Sequence, residues 1–180
     1  MTEQTLIWID IETTGLDPQL DHILEVAVMT SQLSDSFNAK PLYHAVLGYR
    51  RDDWSRKIDP FVLEMHTKNR LFEECSKSNI ARHHVALDLT KEIPKGSILA
   101  GSSVHFDRAF IEEHFLALRL HAPFSHRHYD VSAIKLFCES LGMPRIPKGE
   151  AHRAKEDVLE SVAHAQRCAG WLAERRSGVV

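Results

Sequence analysis

The segment Leu6–Pro18, LIWIDIETTGLDP, starts like a buried strand and then places two acidic residues where a core strand would continue. Its first four residues are apolar, which is typical of a strand covered on both faces. Asp10 and Glu12 follow two positions apart, and alternate residues of a strand point to the same face. Two neighbouring carboxylates repel each other unless a proton or a cation lies between them. Because hard oxygen ligands suit Mg²⁺ or Mn²⁺, the pair is a first indication of a metal site.

Length and composition limit the kinds of protein to consider. The chain has 180 residues, of which 43% are hydrophobic and 26% charged, and this predicts one domain over residues 1–180. No apolar run reaches about 20 residues, and no basic segment precedes the first apolar run. We therefore expect a cytoplasmic protein with no membrane contact.

The cysteine content and the net charge limit the kinds of function to consider. The three cysteines form no CxxC pair, so we expect free thiols in a reducing compartment. A net charge of −3 argues against a protein that coats long nucleic acid through a basic face. It permits a nucleic-acid substrate that is held locally, by metal ions and a few basic side chains.

The chain divides into a strand-rich part followed by a helix-rich part. Alternating and β-branched patterns predict three strands with short connections, an antiparallel meander over residues 4–10, 22–30 and 41–48. Helical spacing then predicts helices over residues 59–66, 78–93, 106–120, 131–141 and 155–176. We expect Asp59-Pro60 to begin the first helix and Ser78 to cap the second, with the short apolar run SILAG before the third. This order predicts an α/β layer fold, with a loop over residues 143–153.

Two further acidic residues stand near the starts of predicted helices. Asp107 begins the helix after SILAG, and Asp157 lies in the first turn of the last helix, although the helix dipole alone also favours acids there. His152 precedes Asp157 by five residues, and it can converge with Asp157 only from the preceding loop, because five helical residues separate side chains by about 140°. Together with Asp10 and Glu12, these residues suit two-metal phosphodiester hydrolysis, in which a histidine accepts the proton of the attacking water.

Three segments, DIETTGLDP, FDRAF and HRAKED, occur in the order and with the H-x₄-D spacing that define the DEDDh 3′→5′ exonucleases. The chain resembles that family over about residues 6–165, and GSSVHFDRAF and DVSAIK resemble its oligoribonuclease branch in particular. The resemblance implies an RNase H-like mixed sheet, in which an antiparallel three-strand meander is followed by helices packed on its faces. It implies that His152 is catalytic and that two divalent cations, Mg²⁺ or Mn²⁺, are bound by Asp10, Glu12, Asp107 and Asp157.

The same resemblance implies how a short single strand would be held. Leu16 would be an apolar wedge against the terminal base, and His66 would lie beside the substrate. Three residues would lie near the 5′ end of the substrate: Ser103, Arg127 and Lys135. Base stacking combined with recognition of the strand ends is suitable physics for such a substrate. The family also implies a homodimer.

The main hypothesis is a metal-dependent 3′→5′ exonuclease that releases nucleoside 5′-monophosphates from short single-stranded RNA. The alternative keeps this chemistry and changes the substrate to single-stranded DNA, as in proofreading or repair. An inactive binding protein on the same fold is disfavoured because all five motif residues are present. A calcium-binding module would need an EF-hand loop, which the sequence lacks.

Overall fold

The computed structural model describes residues 4–34, 36–50, 58–147, 149 and 151–176. Within these ranges the strands are β1 Thr5–Thr13, β2 Ile23–Gln32, β3 Lys40–Val46, β4 Ser97–Gly101 and β5 Phe124–Asp130. The helices are α1 Pro60–Lys68, α2 Leu71–Lys77, α3 Arg82–Glu92, α4 His105–Ala117, α5 Val131–Ser140 and α6 Ala154–Arg176. In this part of the chain, no helix combines the length and apolar character needed to cross a membrane.

The five strands form one mixed sheet in the order β3-β2-β1-β4-β5. The pairs β1–β2 and β2–β3 are antiparallel, which confirms the predicted meander. The strands β4 and β5 then run parallel to β1, with Trp8 opposite Ala100 and Gly101 opposite Asp130. The carboxyl ends of β1, β4 and β5 therefore lie along one edge of the sheet.

The central strand β1 is buried on both faces, which explains its unbroken apolar start. Ile7, Ile9 and Ile11 pack with side chains of α3 and α4 on one face. Leu6 and Trp8 pack with side chains of α6 on the other face. Strand alternation places residues 10 and 12 on this second face, directly beyond Trp8. The acidic pair therefore emerges where α6 covers the sheet.

Of the two helix starts predicted from capping residues, one is confirmed and the other is wrong. Asp59 is the N-cap of α1, as predicted, and its carboxylate accepts a hydrogen bond from the Phe61 N–H at 2.8 Å. The prediction that Ser78 caps the next helix is wrong, because Ser78 ends α2 in an extended conformation. Its hydroxyl donates to the Val46 carbonyl at 2.6 Å, and α3 begins only at Arg82.

Three elements were not predicted as such, namely α2, β4 and β5. SILAG forms β4, and β1 continues past residue 10 to Thr13, so that the acidic pair lies inside the strand. The loop predicted over residues 143–153 lacks helix and strand where it is described, and residues 148 and 150 lie outside the described residues. The single domain over residues 1–180 stays a prediction.

Candidate active site

Three carboxylates converge at the end of β1. Asp10 is half-buried and Glu12 is 8% exposed, and both lie on the face of β1 that α6 covers. Asp157 joins them from the first turn of α6. Each of the three residues offers a carboxylate oxygen, and these oxygens all lie within 4.8 Å of one another. The structure thus brings together three of the four predicted metal ligands.

The arrangement of this acidic cluster suits a divalent cation. Three carboxylates so close together repel one another strongly, and more so where protein replaces water around them. A cation removes the repulsion, and carboxylate oxygens are the ligands that Mg²⁺, Mn²⁺ and Ca²⁺ prefer. The donor set therefore fits a divalent metal ion held by Asp10, Glu12 and Asp157.

Asp107, the fourth predicted ligand, lies beside this cluster but outside it. Its side chain is 4% exposed in the first turn of α4, and one carboxylate oxygen accepts a hydrogen bond from the Ile11 N–H at 3.0 Å. Burial raises the pKa of Asp107 to about 8, and the hydrogen bond from Ile11 acts in the opposite direction. A nearby cation favours the ionised form of such a group. A role for Asp107 as a metal ligand stays a prediction.

His152 lies in the loop before α6, which is the position from which it was predicted to converge with Asp157. It is half-buried and lines a cleft of about 510 Å³ between this loop and α1. Phe61, which is 68% exposed, lines the opposite side of the cleft. Phe61 was not among the predicted site residues.

His66 has no exposed surface, although it was predicted to lie beside the substrate. Its Nε2 lies 3.2 Å from the Thr13 carbonyl oxygen and 3.6 Å from Oε2 of Glu12. Burial lowers the pKa of His66 to about 4, despite the opposing effect of the Thr13 contact. The neutral ring therefore donates from Nε2 to Thr13 and supports the strand end that carries Glu12. Contact between His66 and a substrate stays a prediction.

Leu16 lies in the turn after β1 and is 82% exposed. The turn is closed by hydrogen bonds from the Thr13 hydroxyl to the Gly15 carbonyl and from the Thr14 N–H to the His22 carbonyl. A Cβ at Gly15 would meet the Asp21 carboxylate, which accepts hydrogen bonds from Thr14 and Asp17, so a larger residue here would displace that side chain. An apolar side chain is thereby presented to solvent in the turn directly after β1.

The three residues predicted near the 5′ end of a substrate lie in two places. The Ser103 hydroxyl is 3.2 Å from that of Ser132, which with Lys135 lines a cavity of about 580 Å³. Nζ of Lys135 is 3.4 Å from Nδ1 of His164. Arg127 lies on β5 in a different cavity of about 400 Å³, near the start of β4. Substrate contacts of Ser103, Arg127 and Lys135 stay predictions.

Comparisons with known proteins place these features in a family. The family profile described as Exonuclease matches residues 7–164. The oligoribonuclease of Pasteurella multocida is 32% identical over 172 residues, which are 91% of this chain and 91% of that protein. The oligoribonuclease of Vibrio cholerae is 30% identical over 174 residues, which are 92% of this chain and 93% of that protein.

Solved structures show the same fold. E. coli exonuclease I in complex with a dT13 oligonucleotide superposes with a TM-score of 0.68 at 18% identity over 91% of this chain. The chain spans 40% of that exonuclease I chain. This likeness confirms the RNase H-like α/β fold, and the three carboxylates at the end of β1 form a donor set that fits a divalent cation. The chain therefore belongs to the exonuclease family, as a 3′→5′ exonuclease of the DEDDh type.

Proposed function

We propose that the protein hydrolyses short single-stranded RNA from its 3′ end and releases nucleoside 5′-monophosphates. The observation that carries this proposal is the convergence of Asp10, Glu12 and Asp157 at the end of β1, with His152 in the loop that leads into α6. The relatives named oligoribonuclease, which align along nine-tenths of the chain, support RNA as the substrate. The net charge of −3 fits a short substrate, because a long strand needs many basic contacts.

The acidic residues would hold two divalent cations, Mg²⁺ or Mn²⁺, with Asp107 added to the cluster of three. When bound, such ions activate water and stabilise the leaving oxygen. His152 acts as the general base that accepts the proton of the attacking water, a role worth about 10²–10⁴ in rate. His66 stays neutral behind Glu12 and keeps the strand end in place.

Apolar side chains on two sides of the site would hold the terminal nucleotide. Leu16 is 82% exposed and Phe61 is 68% exposed, so neither side chain contributes much to the hydrophobic core. A base inserted between them would bury apolar surface without any sequence-specific hydrogen bond. Ser103 and Lys135 would then bind toward the 5′ end of a short strand, with Arg127 assigned there by resemblance alone.

The test of this function is product analysis with Mn²⁺. End-labelled RNA dinucleotide, pentanucleotide and twenty-nucleotide strands are compared with a twenty-nucleotide DNA strand, with Asp157→Ala as the blank. We expect rapid cleavage of the RNA dinucleotide and slow attack on both long strands. Efficient shortening of the DNA strand that leaves a dinucleotide would contradict the proposal and favour the single-stranded DNA alternative.

The residue roles are tested separately by calorimetry and turnover. His152→Ala is expected to lower kcat by about 10²–10⁴ while Mn²⁺ affinity stays nearly unchanged. Asp10→Ala is expected to lose Mn²⁺ affinity as well as activity. Unchanged Mn²⁺ affinity in Asp10→Ala would remove Asp10 from the ligand set. A homodimer and a cytoplasmic location stay predictions, and light scattering in solution would test the former.

A further inference from the structure

His152 has a backbone conformation that residues other than glycine rarely adopt. Its φ is +46°, in the left-handed region. Such a conformation persists only where surrounding contacts over-determine it, and it sets the direction in which the side chain leaves the backbone. The contacts that hold this residue therefore bear on where its imidazole lies.

One of these contacts comes from the end of α1. The side-chain nitrogen Nδ2 of Asn69 donates to the His152 carbonyl oxygen at 2.5 Å. The side-chain oxygen Oδ1 of Asn69 accepts from the Leu71 N–H at 3.1 Å, at the start of α2. One amide group thus joins the α1–α2 junction to the His152 loop. A carboxylate could keep the second bond, but it has no hydrogen to donate to the first.

The two residues after His152 are held from the other side. Nε and Nη2 of Arg153 donate to the Glu25 carboxylate at 2.9 and 3.1 Å, and Nη1 and Nη2 donate to Glu74 at 2.9 and 2.8 Å. The Ala154 N–H donates to Oε2 of Glu25 at 3.1 Å. These contacts tie the chain immediately after His152 to β2 and α2, and Asn69 contacts His152 itself.

We propose that Asn69 is a positioning residue for the general base, which it serves by holding the His152 carbonyl in the left-handed conformation that directs the imidazole to the reacting water. The inference rests on the proposed role of His152 and deepens it. Asn69 acts through the backbone of His152 and needs no contact with a metal ion or with the substrate. Its loss should therefore reduce turnover and leave binding of ion and substrate intact.

The decisive variant is Asn69→Asp, which keeps the side-chain shape and the oxygen that accepts from the Leu71 N–H. It replaces the donor Nδ2 by an oxygen, which cannot donate to the His152 carbonyl and repels it. The assay uses the p-nitrophenyl ester of thymidine 5′-monophosphate with Mn²⁺, since this small phosphodiester is independent of strand length. We expect kcat to fall at least about tenfold with KM unchanged within about twofold. Mn²⁺ affinity by calorimetry should equal that of the parent protein.

Two further variants separate positioning from general damage to the fold. Asn69→Ala removes both hydrogen bonds without adding charge and should show the same fall in kcat, which keeps the inference testable if Asn69→Asp fails to fold. Thr67→Val is the matched control, because its hydroxyl donates to the Leu63 carbonyl within α1 at 2.6 Å. It should leave kcat unchanged. An equal loss in Thr67→Val would show that any damage to the end of α1 has this effect.

A double-mutant cycle with His152→Ala tests whether Asn69 acts through His152. If Asn69 acts through His152, Asn69→Asp costs little further activity in the His152→Ala background, because coupled residues are not additive. Losses that multiply would overturn the inference and leave the base role intact. A His152→Ala protein as active as the parent would overturn the base role itself, and the inference with it.

Discussion

Leu16 is the most exposed large apolar side chain in the described part of the chain, at 82%. Because it buries little surface, Leu16→Ala should leave the free energy of unfolding unchanged within about 0.5 kcal/mol. If it contacts a base, its truncation should raise KM for an RNA dinucleotide by about tenfold, the range for a lost apolar contact. Urea unfolding and steady-state kinetics measure the two quantities. An unchanged KM would remove Leu16 from the substrate site.

Glu25 is 1% exposed and links the loop before α6 to the sheet. Burial disfavours its charged form, but hydrogen bonds from Arg153 and His44 outweigh this effect and hold the pKa of Glu25 below its ordinary 4.5. A carboxyl whose pKa is lower in the folded state contributes stability at pH values above its unfolded pKa. That contribution is lost as the pH falls through the folded pKa.

Glu25→Gln should therefore destabilise the protein by about 2 kcal/mol at pH 7, the range for a hydrogen bond to a charged group. The difference between the variant and the parent protein should shrink as the pH falls below about 4.5. Urea unfolding at neutral and acidic pH measures it. A difference that stays constant between these pH values would show that charge on Glu25 contributes nothing.

The residues of the acidic cluster were predictable because each belongs to a short segment with its own chemical pattern. Asp10 and Glu12 interrupt an apolar strand, and Asp157 follows a loop histidine at a fixed spacing. The contact of Asn69 with His152 was not predictable, because 83 residues separate the two and neither segment signals the other. Hydrogen bonds between distant loops are set by packing, which local patterns do not contain.

At the scale of elements, β1 and β4 approach closely beside the site. A Cβ at Gly101 would lie 2.7 Å from the Ile9 carbonyl oxygen, which is backbone and cannot rotate away. Gly101→Ala should therefore destabilise the protein by about 1–3 kcal/mol, as overpacking in a core does. It should also weaken Mn²⁺ binding, because Ile9 precedes Asp10. Urea unfolding and calorimetry check both effects, and normal stability would show that the two strands separate at little cost.

Elements with a clear periodic pattern were predicted, and those without one were not. The side chains of β1 alternate between two buried faces, and β2 is nearly all buried. Both strands are therefore visible in the sequence as apolar segments. β5, FSHRHYD, has no fully buried residue and lies at the edge of the sheet, where polar side chains face solvent. The break between α1 and α2 lies at Arg70, whose φ of +65° carries no glycine signal.

At the scale of the whole molecule, the three thiols report on global unfolding. Cys75, Cys138 and Cys168 are free and fully buried, and burial raises the pKa of Cys75 to about 12. A protonated, inaccessible thiol does not attack a disulfide reagent. We expect no fast reaction with Ellman's reagent in buffer and reaction of all three thiols in denaturant. Fast labelling of Cys138 or Cys168 in the native protein would contradict the packing of α5 against α6.

Metal binding should stabilise the whole fold, because its ligands come together only in the native state. At a free Mn²⁺ concentration of 100 times Kd, the free energy of unfolding should rise by about 2.7 kcal/mol. Asp10→Asn should show little of this rise and should be more stable than the parent protein without metal, since one repelling charge is gone. Thermal unfolding with and without Mn²⁺ measures both. An equal rise in Asp10→Asn would place the ion elsewhere.

The cluster joins residues near position 10 to a residue at position 157, and α6 covers the face of β1 on which the acidic pair lies. During synthesis on a ribosome, the first two carboxylates are made early, but they have no third partner until the start of α6 has been made and has packed against the sheet. A nascent chain that still lacks α6 therefore has only part of the acidic cluster. The cluster can be completed only after translation has passed Asp157, so the order of synthesis makes assembly of this site one of the last steps of folding.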